Sequence, residues 1–91
     1  MKYLLEGKNL HKEIEVEVKV EIHNGCNQLN MYEKGKGQIS FLTFYNESLV
    51  GTNMVCIRKP YLHMIAELIK RGILKGLPIK TISSGVIYEL A

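Results

Sequence analysis

The segment HKEIEVEVKVEIH, residues 11 to 23, restricts the fold more than any other stretch of this chain. Ile14, Val16, Val18, Val20 and Ile22 share one parity, and Glu13, Glu15, Glu17, Lys19 and Glu21 share the other. A period of two in β-branched residues specifies one long strand, with one face on a core and the other in water. Asn24-Gly25 follows at once, a dipeptide suited to a type I′ hairpin turn in which both central residues need positive φ. On the N-terminal side KYLLE, residues 2 to 6, is expected to pair with the long strand through a connection at Gly7-Lys8-Asn9.

The strand signals continue. QLNMYE (28 to 33) and QISFLTFY (38 to 45) flank KGKG, a second glycine-bearing turn, and LVGTNMVCIR (49 to 58) is a further strand weakened near Gly51. The period then changes. In PYLHMIAELIKRGILKG, Tyr61, Leu62, Ile65, Leu68, Ile69 and Ile73 recur at helical spacing. Pro60 suits the first turn, where a missing N–H leaves nothing unpaired. Gly76 and Pro78 are read as the stop. TISSGVIYEL (81 to 90) reads as a last strand, with Gly85 marking a bulge or kink. The expected fold is therefore α+β: an antiparallel meander of five to six strands, one helix over about 60–75 packed on it, and a C-terminal closing strand, all within one domain spanning 1–91.

One strand resists this picture. Ile39, Phe41 and Thr43 lie on one face of the 38–45 segment, and Leu42 and Phe44 on the other. A strand apolar on both faces is expected at the centre of a sheet, covered twice. One helix covers one face only. A second copy on the other face, or pairing through an open edge such as TISSGVIYEL, would supply the rest, as would a sheet curled into a partial barrel. At 91 residues the core is small, and an oligomer would help it.

Composition narrows the class. A hydrophobic content of 46% excludes a disordered chain. Two cysteines, Cys26 and Cys56, make no disulfide framework. The start MKYLLEGKNL does not read as a signal peptide, and no apolar run is long enough for a membrane span, so a soluble cytoplasmic protein is expected. The net charge of +3 divides unevenly: residues 1–22 carry four cations and five anions, and residues 23–91 carry eight cations and four anions.

Five groups of residues are candidates for chemistry. Arg58 and Lys59 precede the helix start, where unpaired N–H groups attract anions; with Lys34, Lys36, Lys70, Arg71 and Lys75 they form a candidate phosphate or nucleic-acid surface. No glycine-rich loop precedes that helix, so a nucleotide cradle is excluded. Glu13, Glu15 and Glu17, continuing to Glu21, line the polar strand face, where they suit a basic partner better than a metal, because residues two apart stand about 7 Å from each other. His23, Cys26, Cys56 and His63 match no trusted zinc spacing. Cys56 with His63 has nothing to orient it as nucleophile and base, and Ser83-Ser84-Gly85 is no nucleophile elbow. Tyr32, Phe41, Phe44 and Tyr45 beside Lys34 and Lys36 have the residue types of a base-stacking sheet, though core packing explains them as well.

No motif calls for a catalyst, a metal or a cofactor. The leading expectation is a small non-enzymatic protein-interaction module, a homodimeric regulator or inhibitor that occludes a partner protein through Leu42, Phe44, Glu13, Glu15 and Glu17. The alternative is a nucleic-acid or phosphate binder using the basic set.

Overall fold

The structure, a computed structural model, describes residues 1–7 and 10–91. The connection expected around Lys8-Asn9 lies outside the described residues. Among the described residues there are two four-stranded antiparallel sheets, one α-helix and two 3-10 segments. The first sheet has the order β1-β2-β3-β4, with β1 Lys2–Gly7, β2 Leu10–His23, β3 Cys26–Glu33 and β4 Gln38–Phe41. The second has the order β5-β6-β8-β7, with β5 Thr43–Phe44, β6 Met54–Arg58, β7 Leu74–Ile82 and β8 Gly85–Leu90. The mixed, antiparallel character matches the sequence reading, with the strands divided between two sheets.

The long alternating segment is the 14-residue β2. It changes partner midway: residues 10–15 pair with β1 and residues 16–23 with β3. The β2–β3 hairpin closes at His23 and Cys26, with Asn24 at φ 51° and Gly25 at φ 77°, the two positive angles a type I′ turn requires.

The 38–45 segment is apolar on both faces for a reason other than double cover. It leaves one sheet and enters the other at Leu42. The Leu42 amide donates to the Leu29 carbonyl in the first sheet, while its carbonyl accepts from the Arg58 amide in the second. The Thr43 hydroxyl takes up the Leu29 N–H that the departing strand leaves behind. A strand that switches sheets turns its inner face as it goes. Leu42 is consequently fully buried, which removes it from any partner-facing surface.

The central, doubly covered strand is instead β6, where Val55, Cys56 and Ile57 are buried in succession. Val55 and Ile57 join the main core with Ile14, Val16, Leu29, Met31, Leu42, Leu68, Tyr88 and Leu90. Cys56 joins a smaller cluster on the opposite side with Cys26, Leu49 and Ile87.

The helix is shorter than its periodicity suggests. A 3-10 segment, Lys59–Met64, leads into α1, Ile65–Lys70. Gly72, at φ 73°, ends it: the Ile73 amide bonds the Leu68 carbonyl and the Gly72 amide bonds the Ile69 carbonyl. This is the Schellman arrangement, with glycine in the left-handed position. Residues expected to be the last helical turn therefore open β7, whose irregular pairing around Pro78 belongs to a sheet edge. Leu68, fully buried, fixes α1 to the main core.

Candidate functional site

Arg58 ends β6, and the two-sheet corner decides what surrounds it. The ring of Phe41 from β4, that of Phe44 from β5 and that of Tyr61 from the 3-10 segment converge on its guanidinium. Their centroids lie 4.4, 5.3 and 5.4 Å from the central guanidinium carbon. Its Nη1 donates to the Phe41 carbonyl at 2.7 Å, and its Nε is buried without a protein partner among the described residues. The charge that looked poised at a helix start is thus spent on a cation–π stack. Lys59 is exposed, and the α-helical part that follows has only six residues.

Tyr61 belongs to the main core, but the other two rings of this cluster do not. Phe41, Phe44 and Tyr45 remain 43%, 38% and 50% exposed. Phe41 and Tyr45, with His23, Gln28 and Thr43, line an open cleft of about 310 Å³.

Three of the other basic residues are matched with carboxylates. Lys36 pairs with Glu33 at 3.0 Å, Arg71 with Glu67 at 2.8 Å, and Lys75 with Glu89 at 2.9 Å. Lys34 and Arg71 are brought to one small cleft, but Glu15 and Glu17 line it too. Lys70 lies exposed on α1.

The polar face of β2 is likewise knitted to its neighbours. Glu13 pairs with Lys2, and Glu15 accepts from the Met1 amino group at 2.8 Å. That ammonium holds the Glu15 carboxyl below its usual value. Glu21 accepts from the Tyr32 hydroxyl and from the Asn30 amide. The hydroxyl contact comes first in holding Glu21 below its usual range, and the same contact pushes the Tyr32 phenol up. Lys19 lies over the Tyr32 ring, 5.0 Å from its centroid.

The cysteine and histidine candidates do not meet. Cys26 and Cys56 are buried free thiols in the smaller core cluster. Burial pushes the Cys56 thiol up, away from the reactive thiolate form. His63 lies across the second sheet, 6.4 Å from Tyr3 ring to ring. Among the described residues no three His, Cys, Asp or Glu side chains converge on a metal position. His63 borders two open clefts of about 490 and 470 Å³, the larger also lined by Met1, Glu15, Glu67 and Arg71. Their charged groups are largely engaged with one another.

Sequence reasoning named Arg58 with the basic residues, Phe41 and Phe44 with the sheet aromatics, and Tyr61 with the helix. It missed their convergence, because the corner at Leu42 that creates it has no sequence signature of its own. No family model, no curated protein and no solved structure matches the chain. No described helix is long and apolar enough to cross a membrane.

Proposed function

We propose that the chain is a non-enzymatic protein-interaction module, working as a homodimer, that regulates or inhibits a partner protein by occluding part of its surface. One observation carries this reading: Phe41 and Phe44 stand substantially exposed against a half-buried arginine, with exposed Tyr45 sharing a cleft with Phe41. Aromatic residues and arginine dominate binding energy at protein interfaces, because rigid rings bury large area at low entropic cost. A ring cluster held by a cation–π stack is preorganised for that use. Partial exposure without a partner costs little in so small a patch.

The nucleic-acid reading draws less support. Phosphate binding needs cations free to displace counterions. Lys36, Arg71 and Lys75 each hold a carboxylate, and Arg58 holds a carbonyl and three rings. The test is capture on immobilised protein, wild type against Phe41→Ser/Phe44→Ser, at low and high salt with mixed oligonucleotides present. A protein retained by the wild type, lost in the variant and indifferent to oligonucleotide is the expected result. Equal retention by both proteins, or an oligonucleotide signal that collapses with salt, overturns it.

A further inference from the structure

We propose that two copies pair edge to edge through the second half of β2, antiparallel, with Val20 opposite Val20; this deepens the homodimer reading and rests on it.

The edge itself follows from the hydrogen bonds. The Val16 amide donates to the Met1 carbonyl, so the even residues of β2 turn their backbone groups toward the β1 side. The Glu15 carbonyl accepts from Lys34, so the odd residues turn theirs toward the β3 side. β1 stops pairing at Glu15. Beyond it Val18, Val20 and Ile22 present N–H and C=O groups to an edge on which no described strand lies. Such an edge is a template for another strand. This one carries no proline, and its pairing with β3 runs without a shift from Val16 to His23. The edge strand β7, by contrast, is broken by Pro78 and two register irregularities.

The side chains along the open edge are apolar on one face. Val20 is 47% and Ile22 76% exposed, although they share a parity with the buried Ile14 and Val16. The core runs out before the strand does.

Charge selects the partner and the register. In a two-fold antiparallel pair the edge-facing even residues must oppose one another. With Val20 opposite its own copy, Val18 faces Ile22, Lys19 faces Glu21 and Glu17 faces His23, each twice by symmetry. Apolar meets apolar on one face, and Lys19 meets Glu21 on the other. One step in one direction sets Lys19 against Lys19 and Glu17 against Glu21. One step in the other sets Glu21 against Glu21. Like charges directly opposite are unfavourable. Larger slides shorten the ladder or drive the incoming strand into β1. In the selected register the partner's Asn24-Gly25 turn arrives opposite Val16, where β1 ends. A five-residue ladder is a small interface, so the dimer is weak and concentration-dependent.

The test is light-scattering mass against concentration, with circular dichroism as a check on folding. The wild type should pass from monomer to dimer. Lys19→Glu and Glu21→Lys should each weaken self-association roughly tenfold or more, since each sets like charges opposite twice. Mixing the two variants should restore a dimer, because only the mixed pair is complementary. In parallel, Val20→Cys should form an intermolecular disulfide under mild oxidation, its Cα atoms being about 5.5 Å apart. Val18→Cys should not, its symmetry mates being roughly 13 Å apart. A dimer with no disulfide at position 20 and no response to the charge variants overturns this interface and leaves the homodimer reading standing. A monomer at every concentration overturns both.

Discussion

Gly85→Ala places the sharpest demand on the described packing. A methyl group built at Gly85 overlaps the Ile57 carbonyl oxygen, lies 3.0 Å from the carbonyl carbon and 3.2 Å from the Cys56 sulfur. The first two atoms are backbone and cannot rotate away. Gly85 is buried, opens β8 and pairs with Arg58 on β6. Relief therefore requires β6 and β8 to part at the middle of the second sheet. Overpacking of this kind costs about 1–3 kcal/mol. One or two weakened ladder hydrogen bonds add about 1 kcal/mol each. The sum, about 2–5 kcal/mol, is a large share of the roughly 5–14 kcal/mol expected for a domain of this length. At about 4–8 °C per kcal/mol the melting temperature should fall by at least ~8 °C. Thermal unfolding by circular dichroism measures this, with urea unfolding to confirm that the slope is unchanged. The control is Gly76→Ala in β7, where no atom lies within 4 Å of the new methyl group and φ is not in the left-handed region. It should change stability by less than ~0.5 kcal/mol. A Gly85→Ala protein melting within ~4 °C of the wild type would refute the close approach of β6 and β8.

Three further outcomes can be measured. Arg58→Met should cost about 2–3 kcal/mol in urea unfolding by removing the ring stack and the bond to the Phe41 carbonyl, and Arg58→Lys should recover less than half, because an ammonium has no planar face to lay between rings. Glu21 titrates below its usual value of 4.5 through the Tyr32 hydroxyl and the Asn30 amide, so its stabilising effect is complete above that value and lost as pH falls through the lower folded one. Tyr32→Phe should therefore lower the melting temperature near neutral pH, with the difference from wild type narrowing as the solution is acidified. Cys26 and Cys56 should resist a thiol reagent such as Ellman's in the native protein and both react on adding denaturant; rapid native labelling would contradict the buried second cluster.

What was legible in the sequence was local. The alternation of β2 and the Asn24-Gly25 turn each depend on contiguous residues, and both appear where the pattern puts them. A helical segment was legible from Pro60, but that stretch is 3-10, the α-helix begins only at Ile65, and its end was not legible. Ile69 and Ile73 fit a helical stripe, yet Gly72 reverses the chain first, and Leu74 reaches the core from a strand. Periodicity cannot distinguish these cases over so short a span. The 38–45 segment shows the same limit more clearly. Apolar residues on both faces mean double cover in a flat strand and a change of sheet in a bent one. Only long-range pairing, Leu42 with Leu29 on one side and Arg58 on the other, decides between them.

The proposed strand pairing and the aromatic cluster use different parts of the first sheet, and this yields a last test. β3 separates β2 from β4, the strand that ends in Phe41. A second copy on β2 would therefore leave Phe41, Phe44 and Tyr45 uncovered on both copies. Its sheet would run β4-β3-β2-β2-β3-β4, with the two outer strands about 24 Å apart at ~4.8 Å per strand. Two identical patches at fixed separation bind a symmetric partner with an avidity that neither has alone. Lys19→Glu touches neither Phe41 nor Phe44, yet it should weaken capture of a dimeric partner while leaving the affinity for a single partner site unchanged. Surface binding with wild-type or variant protein in solution and the partner immobilised at high or low density separates the two. If Lys19→Glu binds as the wild type does at both densities, the two surfaces act independently, and the pairing contributes nothing to recognition.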